Sequence, residues 1–287
     1  MIKKTIEILI LFAVFSGVFY SQSPKGYLVI IGGGDRSDNI MNKIIELAGG
    51  SEAEITIIPM ASSEPLETAI YQKNEFEELG AHNVNYIFCS REDADSDSIV
   101  SKLKNTTGVF FSGGDQSRLT DCLLNTKLLE AISAIYQNGG VLSGTSAGAA
   151  VMSRLMITGN EFLNKDSVYG FMEIRKNNIE IKKGFGFVTE GVIDQHFIYR
   201  KRHNRLISVI LENPDLVGIG IDESTSIVVY PDRTFEVLGM HQVIIYDAGN
   251  AADIKADANG FLSAQNIVMH ILSEGEKYDL ITRSIVQ

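Results

Sequence analysis

The chain has 287 residues, 45% of them hydrophobic and 21% charged, a globular composition with ample apolar content for a large core. With 36 acidic against 25 basic residues the formal net charge is −11, which argues against generic nucleic-acid binding, because phosphate contacts need a basic surface. The same charge is compatible with drawing in a cationic substrate, and two cysteines, Cys89 and Cys122, are too few for a disulfide framework.

The chain opens with basic "MIKK" and then "ILILFAVFSGVFY" (8–20), an apolar stretch too short to span a bilayer comfortably. Residues 1–22 read as a secretory signal peptide, and no cysteine at its end marks a lipid anchor. Export to the periplasm or beyond is expected, with no stable membrane anchor once the leader is removed. Residues 23–287 read as a single domain, without repeat, low-complexity segment or linker.

Strand-like and helix-like segments then alternate. "YLVIIGGG" (27–34) is an apolar strand feeding a tight loop, and "DNIMNKIIELAG" (38–49) has apolar residues at helical spacing. "EITIIPM" (54–60) and "NVNYIFC" (83–89) read as strands around a helix at 66–80. A short helix (97–105), a strand with a Gly-Gly turn (107–116) and one helix over 118–140 follow. "VLSGTSAGAAVMS" (141–153) reads as a strand turning at once into a helix. Residues 167–188 are mixed strand and loop, 191–197 a strand end, and 200–213 a helix with a basic first half. Residues 216–247 read as antiparallel hairpin strands with a turn at "PDR", and "IVMHIL" near the C-terminus as helix. The alternation predicts an α/β fold with a parallel sheet covered on both faces.

The strand-to-helix turn holds Gly144-x-Ser146-x-Gly148. A nucleophile at such a turn sits in a strained backbone, and small neighbours keep it clear of the adjoining elements. The next amide, Ala147 N–H, stands at a helix start and can donate to an oxyanion. Gly113 and Gly114, in "FFSGGDQ" at another strand end, are candidates for the second donor. No Gly-Lys-Ser/Thr follows, which excludes a P-loop.

A serine hydroxyl needs a general base. Of the five histidines, His196 in "DQHF" is the one at a predicted strand end; His82, His203, His241 and His270 are not. The acid has two candidates, Asp222 and Glu223 in "VGIGIDES". Strand alternation puts Glu223 on the face of Val217, Ile219 and Ile221, where a buried carboxylate needs a partner such as an imidazole N–H, so Glu223 is preferred. The histidines are scattered and no H-E-x-x-H occurs, so neither metal nor cofactor is called for.

Taken together, "FSGGDQSRL", "GTSAGAAVMS", "DQHFIYRKRHNRL" and "GIGIDEST" closely resemble the cyanophycinase family, a branch of the serine peptidases that also contains aspartyl dipeptidase. The likeness runs from about "VIIGGG" to "VIIYD". It implies a three-layer α/β/α sandwich like that of class I glutamine amidotransferases, with a flavodoxin-type parallel sheet and additional late β-hairpins. It implies Ser146 as nucleophile, His196 as base, Glu223 as acid, and Gly114 and Ala147 as the oxyanion hole. It maps substrate binding onto Gln116, Asp194, Gln195, Arg200, Arg202 and Arg205. Arginine suits that role, since its planar fork meets a carboxylate with two hydrogen bonds.

The implied substrate is cyanophycin, a poly-aspartate backbone with arginine on each β-carboxyl, cut to β-Asp-Arg dipeptides. On this reading the arginines take carboxylates, and Asp194 with the acidic surface takes the guanidinium. An α-aspartyl dipeptidase, another isoaspartyl hydrolase, or a secreted binding protein on the same fold are the alternatives, and a homodimer is compatible with the fold. Glutamine amidotransfer would need a cysteine where Ser146 stands. The leader sets the chain apart from enzymes that act inside polymer-storing cells. Tyr199 and Lys201 are large residues expected to narrow the pocket, and the resemblance assigns no motif over residues 157–190.

Overall fold

A central parallel strand must bury both faces, and the run YLVII does so as β1 (Tyr27–Ile31). Leu28 and Ile30 enter one apolar cluster, while Val29 and Ile31 enter another on the opposite face. The computed structural model describes residues 24–163 and 170–287; the leader read over 1–22 lies outside them.

In chain order there follow α1 (Asp38–Leu47), β2 (Glu54–Ile58), α2 (Pro65–Glu78), β3 (Asn83–Tyr86), α3 (Asp97–Val100) and β4 (Gly108–Phe111). Then come α4 (Gln116–Leu123), α5 (Lys127–Gln137), β5 (Val141–Thr145) and α6 (Ala147–Ala150). The pair β6 (Leu155–Glu161) and β7 (Ile179–Lys183) precedes β8 (Gly191–Gln195), α7 (His203–Glu212) and β9 (Val217–Ile221). The last strands are β10 (Thr225–Val229), β11 (Thr234–Gly239), β12 (Val243–Asp247), β13 (Ala252–Ala256), β14 (Leu262–Gln265), β15 (Val268–Leu272), β16 (Lys277–Asp279) and β17 (Ser284–Val286).

The main sheet has the order β17-β16-β11-β10-β1-β5-β4-β2-β3. From β1 to β3 its neighbours are parallel, and from β1 to β17 they are antiparallel. On one face α1 and α2 supply Ile40, Ile44 and Phe76; on the other α4, α5 and α6 supply Leu119, Ile132 and Ala149. This is the α/β fold with a parallel sheet covered on both sides. A second sheet, β15-β12-β9-β8, presents Ile193, Ile219 and Ile245 to that second cluster. Its other face, with Val192, Ile244 and Tyr246, is covered by Leu206, Val209 and Ile210 of α7.

Three expectations change. The helix read over 118–140 is two helices, because Asn125 turns left-handed (φ 58°) and the Thr126 hydroxyl accepts from the Leu129 N–H at 3.3 Å, capping a new start. The segment with His270 is strand β15, paired with β12; a six-residue apolar run does not separate helix from strand. Residues 216–247 are not one set of hairpins. β10 and β11 form a hairpin in the main sheet, whereas β9 lies parallel to β8 and antiparallel to β12 in the second.

That hairpin is tied down at the turn. Arg233 donates from Nε to Glu190 Oε1 at 2.7 Å and from Nη1 to the Tyr136 hydroxyl at 3.0 Å, joining it to α5 and to the entrance of β8. Burial alone would raise the Glu190 pKa, but Arg233 overrides it and the net shift is downward. Arg233→Met should destabilise the fold by about 2 kcal/mol in urea titrations near neutral pH, since it leaves a half-buried carboxylate unpaired. A carboxylate with a depressed folded pKa stabilises above its ordinary value of 4.5, so the gap between wild type and variant should close as pH falls below that.

Candidate active site

β5 ends at Thr145 and α6 starts at Ala147, so Ser146 alone makes the turn. Its backbone sits at φ 53° and ψ −107°, a strained region for a residue with a side chain. A Cβ on Gly144 would stand 2.4 Å from the Gly148 carbonyl oxygen, and one on Gly148 would stand 2.2 Å from that of Phe111. The two glycines are therefore the steric condition for so tight a turn.

The turn delivers the Ser146 hydroxyl to the end of β8. Ser146 Oγ lies 2.8 Å from His196 Nε2, and His196 Nδ1 lies 2.6 Å from Glu223 Oε1. Glu223 stands in the turn between β9 and β10, and its side chain is 22% exposed against 8% for the imidazole. Burial lowers the His196 pKa; Glu223 opposes that, and the charges of Arg200 and Arg202 reinforce it. The imidazole is thus neutral at neutral pH. With Nδ1–H donated to Glu223, Nε2 is the nitrogen left to accept a hydrogen bond from the Ser146 hydroxyl. The other acid candidate does different work: Asp222 Oδ1 accepts from the backbone N–H groups of Ile198 and Tyr199, at 3.1 and 2.9 Å.

The end of β1 organises all three segments. The Ser146 N–H donates to the Ile31 carbonyl at 3.0 Å, the His196 N–H to Gly32 at 2.7 Å, and the Ser224 N–H to Gly33 at 2.8 Å. Gly33 has φ 113°, and a Cβ there would lie 2.2 Å from His196 Cε1. These glycines were not among the site residues expected from sequence. The readable signal was a run of three glycines directly after a buried strand.

The remaining expected residues divide into three groups. The Gly113–Gly114 turn abuts Ser146, since a Cβ on Gly113 would be 3.4 Å from Ser146 Cβ. No hydrogen bond among the described residues engages the N–H of Gly114 or Ala147. Gln116 opens α4, and its Nε2 donates to the Ile157 carbonyl at 2.9 Å and to that of Thr158, fastening the helix to β6. The third group is a charge cluster behind the imidazole. Asp194 and Arg205 are fully buried and paired through Nε–Oδ2 at 2.7 Å and through Nη2–Oδ1. Gln195 Oε1 accepts from Arg202 at 3.0 Å and from Arg205 at 3.3 Å.

This arrangement corrects two expectations. Asp194 does not face a substrate guanidinium, because Arg205 occupies its oxygens. Arg205 does not face solvent either: it lies on α7 with its guanidinium 4.8 Å from the Phe171 ring centroid. Arg200 is exposed, and Arg202 is mostly covered, with burial first and Arg205 second lowering its pKa to about 10, so it stays charged near neutrality. Both belong to a turn over 196–202 that precedes the helix, where the Arg200 N–H donates to the His196 carbonyl at 2.9 Å.

A strained serine, a shielded imidazole and a carboxylate thus lie in one chain of hydrogen bonds, an arrangement that suits a hydrolase of the serine type. Residues 28–237 match the sequence model of peptidase family S51, and the chain belongs to that family. It is 35% identical over 272 residues to a cyanophycinase of Synechococcus elongatus, covering 91% of this chain and 81% of that one. It is 36% identical over 274 residues to a cyanophycinase of Nostoc sp. (strain PCC 7120 / SAG 25.82 / UTEX 2576), covering 92% and 89%. Among solved structures, a peptidase from an acI-B1 Actinobacterium shares the fold with a TM-score of 0.63 and 24% identity, over 91% of this chain and all of that one.

Two measurements probe this geometry without a substrate. Gly33→Ala should slow labelling by a serine-directed fluorophosphonate by about 100-fold or more, because the imidazole must move away from the hydroxyl. In the wild type, labelling should fall on the acid side only below the ordinary histidine value of 6.5. Arg200→Gln removes a charge that disfavours the imidazolium, so its half-maximum should move to higher pH, and high salt should narrow the difference.

Proposed function

We propose that this peptidase hydrolyses cyanophycin to β-Asp-Arg dipeptides through Ser146, His196 and Glu223. The observation that carries the catalytic part is the continuous hydrogen-bonded chain from Ser146 Oγ through both imidazole nitrogens to Glu223. The substrate follows from the two cyanophycinases, each matched over more than nine-tenths of this chain.

In the reaction Ser146 Oγ attacks the scissile carbonyl carbon while Nε2 of His196 takes the hydroxyl proton. The carbonyl oxygen becomes an oxyanion, held by the N–H groups of Gly114 and Ala147. Collapse breaks the C–N bond, and His196 returns the proton to the departing amine. Water, deprotonated by the same nitrogen, then attacks the acyl-enzyme, and the proton goes back to Ser146. Glu223 holds the imidazole tautomer and stabilises the imidazolium in both halves. Arg200 and Arg202 receive substrate carboxylates at the rim, and the acidic surface favours the cationic side chains of the polymer. The N-terminal leader would take the enzyme out of the cytoplasm to polymer released from other cells.

Purified cyanophycin granules incubated with the enzyme should release β-Asp-Arg, identified by mass, and Ser146→Ala should lose about 10³-fold or more in rate. Intact granules together with rapid cleavage of Asp-Leu would instead make the chain an aspartyl dipeptidase. Arg202→Ala should raise KM or lower kcat on the polymer, and unchanged kinetics would remove its role.

A further inference from the structure

Cys89 lies in the connection after β3, and Cys122 lies near the end of α4. The chain brings these two cysteines together: the Cys122 thiol donates to the Cys89 carbonyl oxygen at 3.6 Å. Both are free. Cys89 is buried, whereas Cys122 is half-exposed. Arg91 Nη1 donates to the Cys122 carbonyl at 3.3 Å and to that of Leu124, which sets a guanidinium beside this corner.

The two sulfurs are chemically unequal. The neighbouring Cys89 side chain lowers the Cys122 pKa, and the Arg91 charge adds to this against the effect of burial. The Cys122 side chain, with burial, raises the pKa of Cys89. A more acidic, more accessible thiol beside a shielded one is the pairing that disulfide exchange uses.

We propose that Cys89 and Cys122 are a reversible dithiol–disulfide pair which, when oxidised, fastens α4 to the loop after β3. The oxidant is a disulfide, either of a small thiol or of a dithiol oxidase. The Cys122 thiolate attacks one sulfur of it, forming a mixed disulfide and expelling one thiolate. Cys89 loses its proton and attacks Cys122 Sγ, which closes the intramolecular bond and expels the second thiolate. Two protein thiols are oxidised and one disulfide is reduced to two thiols. α4 begins directly after Gly113 and Gly114 and is tied to β6 through Gln116, so the clasp acts on the helix that borders the nucleophile.

The test takes the full chain, reduced and then incubated with oxidised glutathione. Peptide mapping should find one intramolecular bond joining residues 89 and 122. The oxidised protein should melt about 5–10 °C above the reduced one. Cys122→Ala should abolish both effects, and Cys89→Ala should stop at a single glutathione adduct on Cys122. Separate adducts on both cysteines in the wild type, absence of reaction at either, linkage only between molecules, or a bond without a change in Tm would each overturn the proposal.

Discussion

Three consecutive carbonyls, those of Ile31, Gly32 and Gly33, hold together the segments that carry Ser146, His196 and Glu223. Each accepts one backbone N–H from a different segment: Ser146, His196, and Ser224 beside Glu223. Those segments are 50 and 27 residues apart along the chain, and nothing local relates them. Placing them by main-chain hydrogen bonds sets their relative positions before any side chain is considered. Side-chain contacts then only choose rotamers. The bonds also explain why β1 is central: it pairs with β5, which ends one residue before Ser146, and with β10, which starts two residues after Glu223.

Electrostatics adds a second layer. Burial of His196 would be costly for an imidazolium, and the arginines of the following turn add to that cost. Glu223 pulls the other way, so the ring stays neutral at rest and can still hold charge transiently. The buried Asp194–Arg205 pair stands behind this arrangement. Replacing one partner would leave an unpaired charge in the interior, which is strongly destabilising. Its value lies in placing Gln195, whose carbonyl groups then grip Arg202.

Much of this was legible in the residues, for reasons that can be named. Gly144-x-Ser146-x-Gly148 announces a tight turn, and His196 and Glu223 follow from asking which base and acid sit at strand ends. Strand alternation points to the carboxylate that hydrogen-bonds His196, although β9 stops at Ile221 and a left-handed Ser224 (φ 51°) shapes the turn around it. The Gly32–Gly34 turn was not legible as part of the site, because its partners come from segments that no local pattern connects to it. Asp194 and Arg205 are placed at the substrate by the family resemblance, which carries no information on which way their side chains face. Which way α7 faces against β8 is set by its apolar stripe of Leu206, Val209 and Ile210, and that stripe turns Arg205 inward. The break at Asn125 was overlooked because the apolar spacing continues on both sides of it.

Asp222 grips the backbone of Ile198 and Tyr199 while the side chains of Tyr199, Arg200 and Lys201 project into solvent. That divides labour within a few residues: main-chain anchorage comes from below and chemical character from above. Replacements at these three outward positions can therefore change the charge and shape of the surface beside His196 while the hydrogen bonds among Ser146, His196 and Glu223 keep their alignment. A scaffold divided in this way can vary its outer face without disturbing the backbone that holds its inner one.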